Sequence, residues 1–198
     1  MNSDLLQIIL KTATSCDIPT VIIGGLALPA YNIARSTLDL DICIYIKNQE
    51  ELNKFITILK KSEISTIQTP KIKHNLFTVF GKGGEAEIWL QPCDTFHWDE
   101  KMVNRIKNFY SNVYVLAIED FILTKLARSD RSSTDINDIL QILIANTDTI
   151  DWEYLIYRLK WVDLEKEFNE VLKGFKSDFA NNLRNISKDI WEKFKNKD

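Results

Sequence analysis

The first half of the chain mixes helical and strand-like hydrophobic patterns. Apolar residues recur at helical spacing in residues 3–16 and 48–61, which predicts two amphipathic helices. A short third helix is expected at 26–34. Apolar or alternating runs predict strands at the following segments: 20–23, 38–46, 64–68, 76–80, 85–90 and 113–116. These elements indicate a mixed β-sheet flanked by helices.

The second half of the chain is helical throughout. Helical spacing recurs in residues 119–127, 134–144 and 152–159, and a charged stretch continues to residue 198. The fold class is therefore α/β, in its α+β form, with a C-terminal helical region. We expect two parts, a mixed-sheet domain over residues 1–117 and a helical region over 118–198.

Composition narrows the class of partner. The 198 residues are 45% hydrophobic, enough for one domain or a domain with a small helical appendage. A net charge of −3 gives no overall attraction to nucleic acid or to an anionic membrane, so a polyanion site would have to be local. No segment has the length of a membrane helix or the pattern of a signal peptide, and we expect a cytoplasmic protein without a membrane partner.

The candidate chemistry begins at a glycine pair. Gly24 and Gly25 end the strand at 20–23, where backbone without side chains lets a ligand approach closely. Asp39 and Asp41 follow in the strand predicted at 38–46, and its period of two places both carboxylates on one face. Neighbouring carboxylates repel unless a cation neutralises them, and a hard ion such as Mg²⁺ or Mn²⁺ suits their oxygen atoms.

A third acid is needed if two metal ions are to be held. Glu87 is the candidate, because its strand is expected to neighbour that of the aspartates. Glu85 shares its face and is an alternative, and an exposed strand glutamate is often merely solvated.

Three further polar residues are candidates for nucleotide contacts. Arg35 precedes the acids and pairs either with a phosphate or with a carboxylate, and the Thr37 hydroxyl lies close by in sequence. Lys125, on the helix at 119–127, is a candidate for a triphosphate, although lysines near helix ends are commonly solvated. Asp135 is either a helix cap or a further polar contact.

Together, Gly24-Gly25, the pattern Arg35-x-Thr37-x-Asp39-x-Asp41 and the later Glu87 resemble the polymerase-beta-type nucleotidyltransferase superfamily. The helical segment from Ile118 to Ile139 is similar to the branch that includes the AbiEii-type toxins. The resemblance implies that Asp39, Asp41 and Glu87 bind metal ions, that Gly24 and Gly25 contact the phosphates of a nucleoside triphosphate, and that Lys125 assists. Two departures are Gly25, where the family often has serine, and Glu87, where aspartate is commoner.

The resemblance implies transfer of a nucleoside monophosphate from an NTP to a hydroxyl acceptor. RNA, protein and small molecules all stay open as acceptors, a toxin-antitoxin context is one setting, and no DNA sequence readout is expected. One alternative is an inactive module of the same fold that binds nucleotide or protein. Another is a transferase that modifies aminoglycosides or lincosamides.

Overall fold

The chain folds into two units. The computed structural model describes residues 3–178 and 184–195. One unit comprises the described residues up to Ala30 together with Arg35–Leu116, and the other comprises Tyr31–Ala34 together with the described residues from Ala117 onward. Of the charged C-terminal stretch predicted above, residues 179–183 and 196–198 lie outside the described residues.

A seven-stranded mixed sheet forms the framework of the first unit. Its strands are β1 Thr20–Ile22, β2 Asp41–Ile44, β3 Ser65–Thr66, β4 Leu76–Gly81, β5 Gly84–Trp89, β6 Lys107–Tyr110 and β7 Val113–Val115. They lie in the order β3-β4-β5-β2-β1-β7-β6. The pairs β2–β5 and β1–β7 are parallel, and the other four pairs are antiparallel. The predicted fold class, a mixed sheet flanked by helices, is confirmed.

Helices alternate with these strands along the chain. They are α1 Ser3–Ser15, α2 Gln49–Lys61, α3 Glu100–Asn104 and a 3₁₀ helix, Gly24–Tyr31. The first of these contacts both α2 and β5. Asn48 caps α2 by accepting a hydrogen bond of 2.9 Å from the amide of Glu51, which satisfies a donor that the helix leaves unpaired. The buried face of α2 explains why its periodicity was readable in the sequence.

The strand predicted at residues 38–46 is too long, and this is a correction. The strand begins only at Asp41 and ends at Ile44. Leu38 is 98% exposed, so its apolar side chain is not part of a strand face packed on the core. Asp39 consequently lies in a loop before β2. The helix predicted at 26–34 is also corrected, because it is the 3₁₀ helix that begins at Gly24 and ends at Tyr31.

The described part of the second unit is helical. Its helices are α4 Ile118–Leu126, α5 Ser133–Asn146, α6 Trp152–Trp161, α7 Glu165–Asp178 and α8 Arg184–Lys195. Every residue of α4 is buried, and α4 contacts both α5 and α6. None of the described helices combines the length and the apolar content needed to cross a membrane.

Buried charges tie α4 to α6. Asp120 and Arg158 are 0% and 1% exposed, and Nε of Arg158 lies 2.9 Å from Oδ1 of Asp120. The Tyr154 hydroxyl donates to the same carboxylate, at 3.0 Å from Oδ2. Oε1 of Glu119 accepts a 2.8 Å hydrogen bond from the amide of Asp151 at the start of α6. Such groups are stable inside a protein only when they are paired, so this network fixes how the two helices meet.

Replacing Arg158 with Met should destabilise the protein strongly. The change leaves the Asp120 carboxylate buried without its guanidinium, which costs about 3–5 kcal/mol of unfolding free energy. Lys173→Met is the matched control, because Lys173 forms an exposed pair with Glu170 and its loss should cost about 0–1 kcal/mol. Urea unfolding measures both, and equal effects would contradict the structural role of the buried pair.

Candidate functional site

Asp41 and Glu87 lie side by side in the sheet. β2 and β5 run parallel, and their register pairs Asp41 with Glu87. The amide of Glu87 donates to the carbonyl of Leu40 at 2.9 Å, which anchors this register. Laterally paired residues of neighbouring strands point to the same face, about 4.8 Å apart. The two carboxylates therefore share one face, at the start of β2 and within β5.

This face is open at Asp41 and Glu87, whereas the opposite face is closed. Ile42 and Ile88, the next pair in the ladder, are fully buried on the other side. Asp41 is half-buried and Glu87 is exposed. Because the side chains alternate between faces, the sheet holds the two carboxylates rigidly while leaving them accessible.

Gly24 brings the backbone against Asp41. Its φ of +63° lies in the left-handed region, which glycine adopts without steric cost. A Cβ atom at this position would overlap Oδ2 of Asp41 and lie 3.0 Å from its Cγ. The amide of Ile23 also donates to the carbonyl of Asp41 at 3.0 Å. The glycine turn and the carboxylate therefore form one continuous surface.

Thr37 and Asp39 lie on the segment Arg35–Leu40, which we call the Asp39 loop and which has no regular secondary structure. A Cβ atom on Gly25 would lie 2.9 Å from Cγ2 of Thr37, so the loop passes over the glycine pair. The Thr37 hydroxyl lies 3.5 Å from Oδ2 of Asp39, and Asp39 is exposed. The structure thus brings Thr37 to the glycines but does not hold Asp39 on the strand.

Glu87, of the two candidate glutamates, is the one paired with Asp41. Glu85 is paired with Phe80 of β4 in the antiparallel ladder, and it lies two residues before Glu87 in β5. Oε2 of Glu87 accepts a hydrogen bond of 3.2 Å from Nε1 of Trp89. The sequence analysis missed Trp89, although its spacing of two from Glu87 places it on the same face.

The ligands that the site offers to a metal ion are carboxylate oxygen atoms. Cys43 follows Asp41 on the same face, and burial raises the pKa of its thiol well above the usual value, so it stays a neutral, apolar neighbour. Among the residues that the structure describes, no three His, Cys, Asp or Glu side chains converge closely enough to hold one metal ion. Two neighbouring carboxylates nevertheless fit Mg²⁺, which proteins commonly bind through one or two carboxylates, with substrate phosphates and water completing the shell.

The other two predicted nucleotide contacts are Arg35 and Lys125. Arg35 is exposed at the start of the Asp39 loop. Lys125 lies in the second unit and is 7% exposed. Its Nζ atom is 3.0 Å from a carboxylate oxygen of Asp135 and 3.0 Å from one of Asp138. Lys125 therefore forms ion pairs with two buried acids, and its predicted contact with a triphosphate stays a prediction.

Asp135 combines this ion pair with a capping role. Its Oδ2 accepts a 3.0 Å hydrogen bond from the amide of Ser132, and its own amide donates to Oγ of Ser132 at 3.3 Å. Burial acts to raise the pKa of Asp135, but the hydrogen bonds from Ser132 and the charge of Lys125 outweigh it and lower the pKa below the usual value. Of the two roles considered for Asp135, capping is the one that the geometry displays.

Comparison with known proteins places the chain among nucleotidyltransferases. Residues 3–188 match the family profile described as "Nucleotidyltransferase of unknown function (DUF6036)". Among curated proteins, none matches the sequence significantly.

Two solved structures are similar in fold. The antibiotic-resistance factor ANT(2'')-Ia is 16% identical, with 84% of this chain and 96% of that chain covered and a TM-score of 0.52. An antigenic nucleotidyltransferase-like protein from Paracoccidioides brasiliensis is 15% identical, with 94% and 92% covered and a TM-score of 0.51. At these identities the likeness is one of fold.

Gly24→Ala should destabilise the protein and displace the Asp41 carboxylate. The left-handed backbone costs an alanine about 1–2 kcal/mol, and its Cβ atom overlaps Oδ2 of Asp41. Gly174→Ala in α7 is the matched control, since its Cβ atom would meet nothing within 4 Å, and there we expect a gain of about 0.5–1 kcal/mol. Chemical denaturation and crystallography measure both effects. A stable Gly24→Ala protein with Asp41 unmoved would contradict this geometry.

Asp135→Asn should change how stability depends on acidity. Because the folded pKa of Asp135 is lowered, its contribution is complete above the unfolded value of about 3.9 and is lost as the pH falls below it. The variant should therefore be less stable than the wild type at pH 6, and the difference should shrink towards pH 2. Asp163→Asn, at an exposed position, is the control. A difference that does not vary with pH would contradict the assignment.

Proposed function

The chain belongs to the nucleotidyltransferase family matched over residues 3–188, and from this premise we propose that Asp41 and Glu87 carry a metal-dependent transfer of a nucleoside monophosphate from an NTP to a hydroxyl acceptor. The observation that carries the proposal is the register of β2 and β5, which pairs the two acids. Two carboxylates held side by side next to a glycine turn favour a divalent cation together with phosphate groups.

The reaction is a displacement at the α-phosphorus. The acceptor oxygen forms a bond to this atom, the bond from it to the bridging oxygen breaks, and pyrophosphate leaves. The hydroxyl proton passes to a nearby carboxylate or to water. A divalent cation bound by Asp41 and Glu87 would neutralise the charge that develops on the phosphate oxygens. The contribution of the protein is then to position the reactants and to hold these charges in place.

Residues around the glycine turn would receive the nucleotide. Gly24 and Gly25 present backbone without side chains next to Asp41 and Thr37, so phosphate oxygens have room to approach their amides. In this proposal the Thr37 hydroxyl and the Arg35 guanidinium, both on the Asp39 loop, donate hydrogen bonds to the nucleotide. Asp39 joins the metal site in this proposal when the loop closes on the bound nucleotide.

The proposed role of Lys125 depends on the positive charge of its ammonium group. It is held by Asp135 and Asp138, and Nε of Arg128 lies 4.0 Å from Oδ2 of the same Asp135. In this proposal an arriving triphosphate competes with these carboxylates for the ammonium group. The competition predicts weaker nucleotide binding than an unpaired lysine would give.

The proposal leaves the identity of the acceptor to be found by assay. The fold is shared with an antibiotic-resistance factor, which makes aminoglycosides one class to include in an assay. RNA and protein acceptors, the latter as in a toxin-antitoxin pair, are the other classes. The test therefore uses all three with each nucleoside triphosphate.

Asp41→Asn and Glu87→Gln should each lower Mg²⁺-dependent pyrophosphate release by at least about 100-fold, since each removes charge stabilisation worth several kcal/mol. Glu85→Gln is the control, because it is exposed and paired outside the site, and its rate should stay within about threefold of the wild type, as screening by water weakens its effect. The assay measures pyrophosphate from ATP, GTP, CTP and UTP with cellular RNA, protein extract or aminoglycosides. Wild-type rates in Asp41→Asn would contradict the proposal.

An inactive nucleotide-binding module is the competing function, and the exposed Asp39 favours it, because a third acid is not held near the other two. Calorimetry with Mg²⁺ and a nonhydrolysable triphosphate distinguishes the two. Binding without pyrophosphate release under any acceptor condition supports the module. Release that depends on Asp41 supports the enzyme.

A further inference from the structure

A short segment joins the 3₁₀ helix to the Asp39 loop. Gly24 and Gly25 follow β1, and the Asp39 loop leads into β2. Tyr31–Ala34 precedes the loop directly and is part of the helical unit. Contacts that hold this segment therefore act on the N-terminal end of the Asp39 loop.

Asn146, at the end of α5, holds this segment. Its Nδ2 donates to the carbonyl of Tyr31 at 2.8 Å and to the carbonyl of Ile142 at 3.0 Å. Its Oδ1 accepts from Nδ2 of Asn32 at 3.2 Å. With 7% of its surface exposed, Asn146 uses both the donor and the acceptor of its side-chain amide here. We call these hydrogen bonds the Asn146 clamp.

The shape of the segment suits this clamp. Asn32 has φ +62°, a left-handed conformation that asparagine tolerates better than most residues. The turn reverses the chain direction and aims the Asn32 side chain at Asn146. A residue of another type at position 32 would lose either the conformation or the hydrogen bond.

Tyr31 strengthens the anchor by burial. It is 3% exposed, and its ring centroid lies 4.6 Å from that of Phe121 in α4. Burial raises the pKa of its phenol well above the usual value, and the carboxylates of Asp120 and Glu119 raise it further. The phenol therefore stays neutral, and the start of the segment is fixed by packing as well as by hydrogen bonds.

The Asp39 loop is held at its two ends and by the close approach of Thr37 to Gly25. Its residues have no regular secondary structure, and Arg35, Ser36, Leu38 and Asp39 are exposed. The C-terminal end enters β2 at Asp41, and the N-terminal end follows directly from the clamped segment. Freeing one end of such a loop enlarges the set of conformations open to Thr37 and Asp39.

We infer that Asn146 is a positioning residue: by holding Tyr31 and Asn32 it orders the Asp39 loop that follows them in the chain, and it thereby sets the rate of nucleotidyl transfer. The catalytic part of this inference, the effect on the rate, rests on the proposed function. Its structural consequence, a loop ordered by the clamp, does not depend on that function.

The structural test is NMR relaxation of the backbone nitrogen atoms, on the full chain without ligand. Asn146→Ala removes the clamp, and Asn32→Gly removes one of its hydrogen bonds while keeping the left-handed backbone. Asn137→Ala is the matched control, because Asn137 is an exposed asparagine on the same helix. Order parameters of residues 33–40 should fall by at least about 0.2 in Asn146→Ala, and by less in Asn32→Gly. Those of β2 and β5 should be unchanged.

The catalytic test compares kcat and KM for pyrophosphate release, with the triphosphate that gives the highest rate. In Asn146→Ala we expect kcat to fall at least about tenfold, which is about 1.4 kcal/mol, with KM for the nucleotide within about threefold because the glycine pair is unaltered. Asn32→Gly should lower kcat less, and the double variant should be no worse than Asn146→Ala alone, because both act through one clamp.

Each outcome decides the inference. Lower order parameters confined to residues 33–40 support it even if no variant, nor the wild type, releases pyrophosphate, in which case only the proposed function fails. Unchanged order parameters in the loop overturn it. Order parameters that fall equally in β2 and in the loop also overturn it, since Asn146 would then serve general stability alone. If Asn146→Ala does not fold, Asn32→Gly gives the same decision.

Discussion

The parallel pairing of β2 with β5 is the constraint on which the candidate site depends. It places Asp41 beside Glu87 on the open face of the sheet, while Ile42 and Ile88 close the other face. Two carboxylates at this spacing repel each other, so the arrangement favours a cation. Gly24 adds the second requirement, a backbone that meets Asp41 without a side chain in between. The chain belongs to a family of nucleotidyltransferases, and the proposed function assigns both features to that chemistry.

The remaining candidate residues lie outside regular secondary structure. Thr37 and Asp39 lie on the Asp39 loop, which leads into a central strand of the sheet. The loop follows a turn that is held by Asn146. In the proposed mechanism, Asp41 and Glu87 bind the cation and the loop residues complete the site. Asn146 then acts on the loop through the covalent continuity of the chain.

The sequence predicted the rigid part of the site and not the loop. Asp41 and Glu87 lie in strands whose apolar neighbours are buried, and such alternation is readable without coordinates. Asp39 was assigned to the same strand because Leu38 continues the alternation, but Leu38 is exposed. The conformation of Tyr31–Ala34 produces no periodic pattern in the sequence, because it depends on hydrogen bonds to a residue more than a hundred positions away. The strand Lys107–Tyr110 was missed for a related reason, because all of its residues are exposed and alternation is absent.

The most direct test of the account is anomalous diffraction from crystals grown with Mn²⁺ and a nonhydrolysable nucleoside triphosphate. The account predicts an anomalous peak about 2.1 Å from carboxylate oxygens of both Asp41 and Glu87, with the phosphates of the nucleotide lying against Gly24 and Gly25. A nucleotide bound elsewhere on the chain, or a bound nucleotide with no ion at Asp41 and Glu87, would contradict it.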